Sequence, residues 1–245
     1  MLVDVFETAS KILLAEPIHK VLQGEGEHLG KKMLLLRVMG CPVQCPSCDS
    51  YHTWDPDRLS NSQERWKVVD LCEFLLQEFQ KWNVEWLMIT GGEPQIYQKQ
   101  ILQLIQGILK KRNVFFQIET TGMVSWDAFK EFSGNIHFDL SPKVVSLTPG
   151  ISIENYFFFD SLKDFPNHSV KFVVSAQNLE SDLLEIQKFQ IKYGVVNEKI
   201  YLMPFADSRS ALLAEAEKLI EICFERHWNF SPRLHVLLFD SRRLV

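Results

Sequence analysis

Short apolar runs alternate along the chain with longer segments in which apolar positions recur at helical spacing. The apolar runs end at glycines or polar clusters, which is typical of buried strands. The predicted strands are Met33–Val38, Trp86–Thr90, Val114–Thr120, Ile136–Leu140, Val170–Ser175, Ile200–Met203 and Leu234–Leu238. The predicted helices are Glu64–Trp82, Ile101–Leu109 and Trp126–Phe132. Regular alternation of strands and helices predicts an α/β fold in which helical crossovers join parallel strands.

Polar and glycine-rich motifs follow four of the predicted strands. In parallel sheets the functional site lies at the carboxyl ends of the strands. We therefore expect these four motifs to meet at one edge of the sheet. They are Gly40-Cys41, Thr90-Gly91-Gly92-Glu93, Glu119-Thr120-Thr121-Gly122 and Ser141-Pro142-Lys143.

Composition and length fit one globular unit. The chain has 245 residues, of which 46% are hydrophobic and 23% charged, and its net charge is −5. We find no linker, repeat or low-complexity tract, so we expect a single domain over residues 1–245. The scattered basic residues predict neither a nucleic-acid partner nor a membrane-binding patch. No apolar run is long enough for a membrane span, and Asp4 and Glu7 argue against a signal peptide.

Three cysteines, Cys41, Cys45 and Cys48, lie within eight residues in the order C-x-x-x-C-x-x-C. The chain has five cysteines, and this odd, clustered set favours a reducing cytoplasm and a metal site over a disulfide framework. Three thiolates leave a four-iron, four-sulfur (4Fe-4S) cube one ligand short, because such a cube normally takes four cysteines. An iron without a protein ligand can bind a small molecule, so the triplet indicates chemistry rather than simple electron storage.

Two other interpretations of the triplet stay open at this point. A structural zinc site usually has four nitrogen or sulfur ligands, and here His52 or a distant cysteine would supply the fourth. The triplet is otherwise a chance group of core thiols. The two remaining cysteines, Cys72 and Cys223, fall in helical segments, and we expect both to be core residues.

A second motif, Thr90-Gly91-Gly92-Glu93-Pro94, follows an apolar strand. Its two glycines allow backbone groups to approach a ligand closely, and Glu93 can accept hydrogen bonds from an amine. The alternative is a tight strand-to-helix turn in which Pro94 begins the helix.

Together the cysteine triplet and the GGEP sequence resemble the radical S-adenosylmethionine (AdoMet) superfamily. The resemblance implies a partial barrel of the TIM type, an open cluster iron chelated by the methionine part of AdoMet, and an external one-electron donor of the flavodoxin or ferredoxin type. It places Gly92, Glu93, Ser141, Pro142 and Lys143 around AdoMet.

Further segments resemble the 7-carboxy-7-deazaguanine synthase family. These are Leu22-Gln23-Gly24-Glu25-Gly26, Arg37, Asp49-Ser50, Ser141-Pro142-Lys143 and Pro232-Arg233-Leu234-His235-Val236. The resemblance implies a lyase that converts 6-carboxy-5,6,7,8-tetrahydropterin into 7-carboxy-7-deazaguanine. This is a radical ring contraction with loss of ammonia, on the route to queuosine. It also implies a homodimer.

The same resemblance implies roles for individual residues. The predicted substrate contacts are Leu22, Gln23, Gly24, Glu25, Arg37, Thr90 and Glu119. Ser50 is the expected Mg²⁺ ligand, because this ion prefers oxygen donors, and its alternative role is a helix cap. Arg37 can clamp a carboxylate through its two-nitrogen fork or pair with a core acid, and Glu119 can instead be a structural acid.

Two parts of the chain are harder to assign. The family often has a glycine near Asp240, which this tail lacks, so a contact between the tail and the substrate stays open. The phenylalanine-rich segment Lys143–Asp164 is a lid, a dimer contact or an insertion. Trp54 and Trp66 are expected to be core or shell residues.

Two functions from other classes compete with this hypothesis. One is a glycyl-radical activase, which acts on a protein, but the chain has no second cysteine cluster and does contain the QGEG and SPK motifs. The other is a metal-binding module without enzymatic activity.

Overall fold

A computed structural model describes residues 10–59, 61, 63–152, 155–156 and 158–240. Its strands are β1 (Lys11–Leu14), β2 (His19–Leu22), β3 (Lys32–Val38), β4 (Glu64–Lys67), β5 (Trp86–Gly91), β6 (Phe115–Thr120), β7 (Ile136–Leu140), β8 (His168–Val174), β9 (Ile200–Pro204) and β10 (Asn229–Phe230). Its α-helices are α1 (Val68–Trp82), α2 (Gln98–Leu109), α3 (Leu179–Tyr193), α4 (Arg209–Arg226) and α5 (Leu234–Phe239). Asp4, Glu7 and the tail after Asp240 lie outside the described residues.

The strands form one sheet in the order β10-β9-β8-β7-β6-β5-β3-β1-β4, and β2 also pairs with β3. Every neighbouring pair from β3 through β5 to β10 is parallel. The strands β1, β2 and β4 join by antiparallel pairs. The sheet is open, because β10 and β4 end the path without pairing to each other. The expected α/β partial barrel is therefore confirmed.

The two faces of this sheet have opposite character, because successive strand side chains point to opposite sides. One face is apolar and joins residues of α1 and α2 in the main core; Leu36, Ile89 and Ile118 belong to it. The other face carries a small apolar cluster of Met33, Leu35 and Met88. Beyond that cluster, towards the carboxyl ends of the strands, the second face is polar. Its polar residues are Thr90, Gln117, Glu119, His137, Asp139, Ser169 and Lys171.

Several aromatic side chains in the described part of the segment Lys143–Asp164 belong to the core. Tyr156, Phe158 and Phe159 are buried, and Phe158 packs against Phe138 of β7 with ring centroids 4.9 Å apart. A 3₁₀ helix, Phe158–Asp164, stands between β7 and β8 where a crossover helix is usual. Phe158 and Phe159 are therefore core side chains of this connection.

The prediction of a strand at Leu234–Leu238 was wrong, because this segment forms α5. Short apolar runs fit either a strand or one face of a helix. The parallel edge position beside β9 is already occupied by β10. In α5 only Val236 is buried, and Leu238 is half exposed, as expected for a helix with one covered face.

The predicted helix Glu64–Trp82 begins too early, because Glu64–Lys67 is the strand β4. This strand pairs with β1 through a register of four residue pairs, a non-local contact that the local spacing of apolar residues does not report. The helix begins at Val68, and Val69 in its first turn is exposed. Within the described ranges, no helix has the length and apolar character that crossing a membrane requires.

Candidate functional site

The cysteine triplet lies in a closed loop after β3. The loop is closed where Gly40 N donates a hydrogen bond of 2.7 Å to Thr53 O. Gly40 has φ +92°, a conformation that favours glycine. Cys41, Cys45 and Cys48 are partly exposed in this loop, whereas Cys72 and Cys223 are buried in the core, as expected.

The chemistry of this loop fits an iron–sulfur cluster. Burial raises the pKa of the Cys41 thiol, and backbone N–H groups of Gln44 and Val43 oppose this by favouring a thiolate. Burial likewise raises the pKa of Cys48, opposed mainly by the side chain of Trp54. Among the described residues, no three His, Cys, Asp or Glu side chains meet around a point that suits a single metal ion. A cube imposes a different demand, because each thiolate binds a different iron, so the three sulfurs need not meet around one point.

The glycine pair at the end of β5 packs against the cysteine loop. A Cβ atom on Gly91 would lie 2.3 Å from Val38 O, and one on Gly92 would lie 1.9 Å from Gly40 O. Gly92 N and Glu93 N donate hydrogen bonds to these same two carbonyls, at 3.0 and 2.8 Å. The glycines therefore allow the two loops to touch through their backbones.

The carboxylate of Glu93 is buried among protein donors. It accepts hydrogen bonds from Thr120 Oγ1 at 2.5 Å, Thr121 N at 2.8 Å and Gln95 N at 3.2 Å. Burial raises the pKa of Glu93, and these donors act in the opposite direction. Glu93 thus joins the loop after β5 to the end of β6, and an amine of AdoMet would be an additional partner.

The Ser141-Pro142-Lys143 motif lies at the end of β7. Ser141 N donates to Thr120 O at 2.8 Å, and Lys143 Nζ donates to Ser141 Oγ at 3.0 Å. Pro142 is buried. The segment after this motif reaches the cysteine loop, because Ser47 Oγ donates to Leu147 O at 3.0 Å. The ends of β3, β5, β6 and β7 are therefore linked at one edge, as the sequence predicts.

Three of the predicted substrate residues meet on the polar face of the sheet. Gln23 Nε2 donates to Glu119 Oε1 at 3.1 Å, and Thr90 Oγ1 donates to Glu119 Oε2 at 2.8 Å. Burial raises the pKa of Glu119, although Lys171 acts against this shift. Leu22 has its side chain elsewhere, since it is half exposed and lines a groove of about 300 Å³.

Glu25 lies between two cations. Lys171 Nζ donates to Glu25 Oε2 at 2.6 Å, and Arg233 Nε donates to Glu25 Oε1 at 3.3 Å. Burial disfavours the charged carboxylate, but Lys171, Arg233 and His235 outweigh it and hold the pKa of Glu25 well below its usual range. Beside it, Gly24 packs so closely on His235 that a Cβ atom would lie 2.4 Å from its Nδ1. The QGEG turn is therefore held by β8 and by the segment around α5.

The same cations extend the network to β7 and to the cysteine loop. Lys171 Nζ donates to Asp139 Oδ2 at 3.2 Å. Arg233 also donates to Asp49 Oδ2 and, at 2.6 Å, to Ala206 O. Asp49 is solvent-accessible at the rim of the site. Desolvation by the surrounding protein raises the pKa of Asp49, but Arg233 outweighs it and the net shift is downward.

Arg37, near the end of β3, and Ser50, just after the cysteine triplet, are neighbours. Arg37 Nε pairs with Glu16 Oε1 at 2.8 Å, so the ion pair weighed as its alternative role is present. Arg37 Nη1 donates to Ser50 Oγ at 3.4 Å, and Ser50 Oγ donates to Asp49 Oδ1 at 3.1 Å. Ser50 precedes the 3₁₀ helix Tyr51–Thr53 but makes no side-chain capping bond.

Sequence reasoning missed Asp139, Arg233 and Glu16, and it gave Lys171 no weight. A signal was available for two of them, since Asp139 and Lys171 are lone charges inside otherwise apolar strands. Asp139 is paired with Ser169 in the register of β7 and β8, so Lys171 lies two residues further along the same face. Opposite charges on one face of neighbouring strands indicate a buried ion pair.

Comparison with known proteins gives consistent matches. A family model described as "4Fe-4S single cluster domain" matches residues 22–141. The 7-carboxy-7-deazaguanine synthase of Hyperthermus butylicus is 27% identical over 231 residues, which cover 93% of each chain. The enzyme of the same name from Rhodopirellula baltica is 28% identical over 98% of this chain and 91% of its own.

Solved structures agree with these matches. The crystal structure of QueE from Escherichia coli is similar with a TM-score of 0.70 and 25% identity, covering 94% of this chain and 97% of the other. The structure titled "Native anSMEcpe with bound AdoMet and Kp18Cys peptide" shares the fold, with a TM-score of 0.51 and 15% identity over 85% of this chain and 67% of the other. Sequence, fold and site agree that this chain belongs to the 7-carboxy-7-deazaguanine synthase family of radical AdoMet enzymes.

Proposed function

We propose that this chain converts 6-carboxy-5,6,7,8-tetrahydropterin into 7-carboxy-7-deazaguanine with loss of ammonia. The observation that carries the proposal is the position of the QGEG turn. Glu25 of this turn is linked through Arg233 to Asp49, the residue that follows Cys48. A substrate bound at the turn therefore lies next to the loop that carries the cysteine triplet.

Cys41, Cys45 and Cys48 would hold a 4Fe-4S cluster, with AdoMet on the iron that lacks a cysteine. Bound there and supplied with one electron, the cluster and AdoMet would together provide the radical that removes a hydrogen atom from the substrate. The protein itself would bind and orient AdoMet and the substrate and would exclude water from the site. Gly92, Glu93, Ser141, Pro142 and Lys143 would line AdoMet, and their hydrogen-bonded links to the cysteine loop and to β6 support this assignment.

The charge balance of the site favours a substrate rich in N–H donors. Among the described residues, four carboxylates, those of Glu25, Asp49, Glu119 and Asp139, share the two buried cations Lys171 and Arg233. Arg37 also acts on Asp49, so acidic groups still outnumber basic ones. A pterin edge carries amino and ring N–H groups that can use the remaining acceptor capacity. Gln23 and Thr90 fix the orientation of Glu119 and would thereby set the direction in which it accepts these donors.

The carboxylate of the substrate has its own candidate partner at the rim. Arg37 Nη1 donates to Ser50 Oγ, while its Nε is held by Glu16. The arginine is thus pre-oriented and would bind the substrate carboxylate with its terminal nitrogens. Gly24 would contact the substrate from the turn, and Leu22, whose side chain lies in the groove outside the site, would do so only through its backbone.

Mg²⁺ is proposed at Ser50. The hydroxyl of Ser50 and the carboxylate of Asp49 lie together, and Mg²⁺ commonly uses one or two protein oxygens and fills its other positions with water and substrate. The test is Ser50→Ala, which should lose stimulation of turnover by Mg²⁺ while the iron content stays at the wild-type level. Stimulation equal to that of the wild type would contradict this assignment.

The proposed partners are a flavodoxin- or ferredoxin-type electron donor and a second copy of the chain, in the cytoplasm. Light scattering of the reconstituted protein tests the dimer, because a mass of one chain at micromolar concentration would exclude it. Reduction of the cluster by each purified donor under anaerobic conditions tests the electron source.

The experiment that tests the function is anaerobic turnover of the reconstituted protein with the carboxytetrahydropterin, AdoMet and a reductant. We expect an ultraviolet-absorbing deazapurine carboxylate together with 5′-deoxyadenosine. Cys45→Ala should abolish the cluster and the product together, whereas Cys223→Ala, which changes a buried core thiol, should keep both. A colourless protein that contains zinc, or a coloured one that forms no deazapurine, would overturn the proposal.

A further inference from the structure

The indole N–H of Trp54 is buried beside the cysteine loop. Its Nε1 meets no acceptor with ordinary hydrogen-bond geometry in the structure. The Trp54 side chain acts instead on Cys48, where it favours the thiolate. A buried N–H without an acceptor is costly and rare in native proteins, so this group calls for an acceptor that a thiolate would supply.

The backbone holds Trp54 firmly in this place. Trp54 N donates to Tyr51 O at 3.1 Å at the end of the 3₁₀ helix. The preceding residue, Thr53, is fully buried and accepts the 2.7 Å hydrogen bond from Gly40 that closes the cysteine loop. The backbone at Trp54 is therefore fixed beside the point where the cysteine loop closes.

Other N–H groups that act on the cysteines belong to the backbone. Those at Cys41 come from Val43 and Gln44, and a further one at Cys48 comes from Ser50. Hydrogen bonds to the sulfurs of an iron–sulfur cluster help to set its reduction potential, because they stabilise the more negative, reduced state. Trp54 supplies its N–H from a side chain, so a substitution can remove it without disturbing the backbone.

We propose that Trp54 donates an N–H···S hydrogen bond to the Cys48 thiolate of the cluster and thereby raises the reduction potential of that cluster. This inference rests on the cluster that the proposed function requires. It makes Trp54 a positioning and tuning residue, because it acts on the cluster only through Cys48. The aromatic ring contributes packing, and the N–H contributes the electrostatic effect.

The test is a redox titration of the reconstituted Trp54→Phe variant, followed by electron paramagnetic resonance without AdoMet or substrate. We expect iron and sulfide contents equal to those of the wild type and a midpoint potential more negative than that of the wild type. The control is Trp66→Phe, because Trp66 Nε1 donates to Glu64 at 2.8 Å in β4. The midpoint potential of the cluster in this control should equal that of the wild type. A Trp54→Phe midpoint equal to both would overturn the inference.

A second measurement covers the case in which Trp54→Phe does not retain its cluster. Wild-type protein labelled with ¹⁵N at the indole nitrogen should show a hyperfine coupling of that nitrogen to the reduced cluster, and labelled Trp66→Phe should keep the coupling. No coupling in the wild type would overturn the inference, although the proposed function would stand. A wild-type protein that takes up no cluster would overturn both.

Discussion

The ammonium group of Lys171 lies 2.6 Å from Glu25 Oε2 and 3.2 Å from Asp139 Oδ2. This one cation joins the QGEG turn to β7 and β8, and its side chain is almost fully buried. Burial lowers the pKa of Lys171, but Asp139, Glu25 and Glu119 outweigh it and the pKa lies well above the usual value. The QGEG turn is therefore held in place by a lysine that stays protonated.

Removing this cation should strongly destabilise the protein. Lys171→Met leaves Glu25 and Asp139 buried without their shared partner, and breaking a buried ion pair from one side costs about 3–5 kcal/mol. Urea unfolding at neutral pH measures the loss. The matched control is Lys199→Met, whose pair with Glu27 is partly exposed and contributes about 1 kcal/mol or less. Equal losses in the two variants would show that Lys171 does not hold the turn.

Acid should destabilise the fold through His137. Burial, with a smaller effect from His28, lowers the pKa of His137 to about 3. Above pH 6.5 the folded and unfolded states both hold this histidine neutral, so its contribution does not change. Between 6.5 and about 3 only the unfolded state binds the proton, and the free energy of unfolding therefore falls as the pH falls.

The variant His137→Gln isolates this effect, because glutamine can still bond to Ser169, which lies 3.0 Å from His137 Nε2. The slope of the unfolding free energy against pH, measured between pH 6 and 4, should decrease by about one proton, which is about 1.4 kcal/mol per pH unit. An unchanged slope would mean that His137 takes up its proton equally in both states.

Gly92→Ala should prevent the cysteine loop from holding its cluster. The new Cβ atom would lie 1.9 Å from Gly40 O, so the backbones of the two loops would have to separate. We expect iron incorporation to fall well below that of the wild type. Gly134→Ala is the control, because no atom lies within 4 Å of its added Cβ. Full iron content in Gly92→Ala would show that the contact between the loops is dispensable.

Arg233→Lys should weaken turnover while keeping the positive charge. Arginine bonds Glu25, Asp49 and Ala206 O at the same time, and lysine lacks the planar fork that this requires. We expect kcat/KM for the pterin to fall about tenfold, which is about 1.4 kcal/mol of transition-state stabilisation. The exposed Arg226→Lys serves as the control. If kcat/KM of Arg233→Lys equals that of this control, Arg233 does not contribute to turnover.

Six strands of the sheet could be predicted from sequence to within about two residues, because buried parallel strands are continuous apolar runs. The strands β1, β2, β4 and β10 could not, since they are short. What fixes β1 and β4, for example, is their pairing across more than forty intervening residues. The run at Leu234–Leu238 was ambiguous for the opposite reason, because its composition fits both a strand and a helix.

The residues of the candidate site likewise fall into those that the sequence predicts and those that only the fold brings together. The cysteine triplet and the motif around Glu93 are local patterns, and both were found in the sequence. The network around Lys171 joins residues 146 positions apart, so only the fold brings them together. The close approach of Gly91 and Gly92 to the backbone of Val38 and Gly40 could not be predicted, because sequence does not show which backbone lies beside a glycine.

Mössbauer spectroscopy of the ⁵⁷Fe-reconstituted protein, with and without AdoMet, tests the central claim most directly. A cube held by Cys41, Cys45 and Cys48 has one iron without a cysteine, so one iron in four should change its isomer shift when AdoMet is added. Four irons that are unaffected by AdoMet, or a protein that binds no iron, would contradict the account.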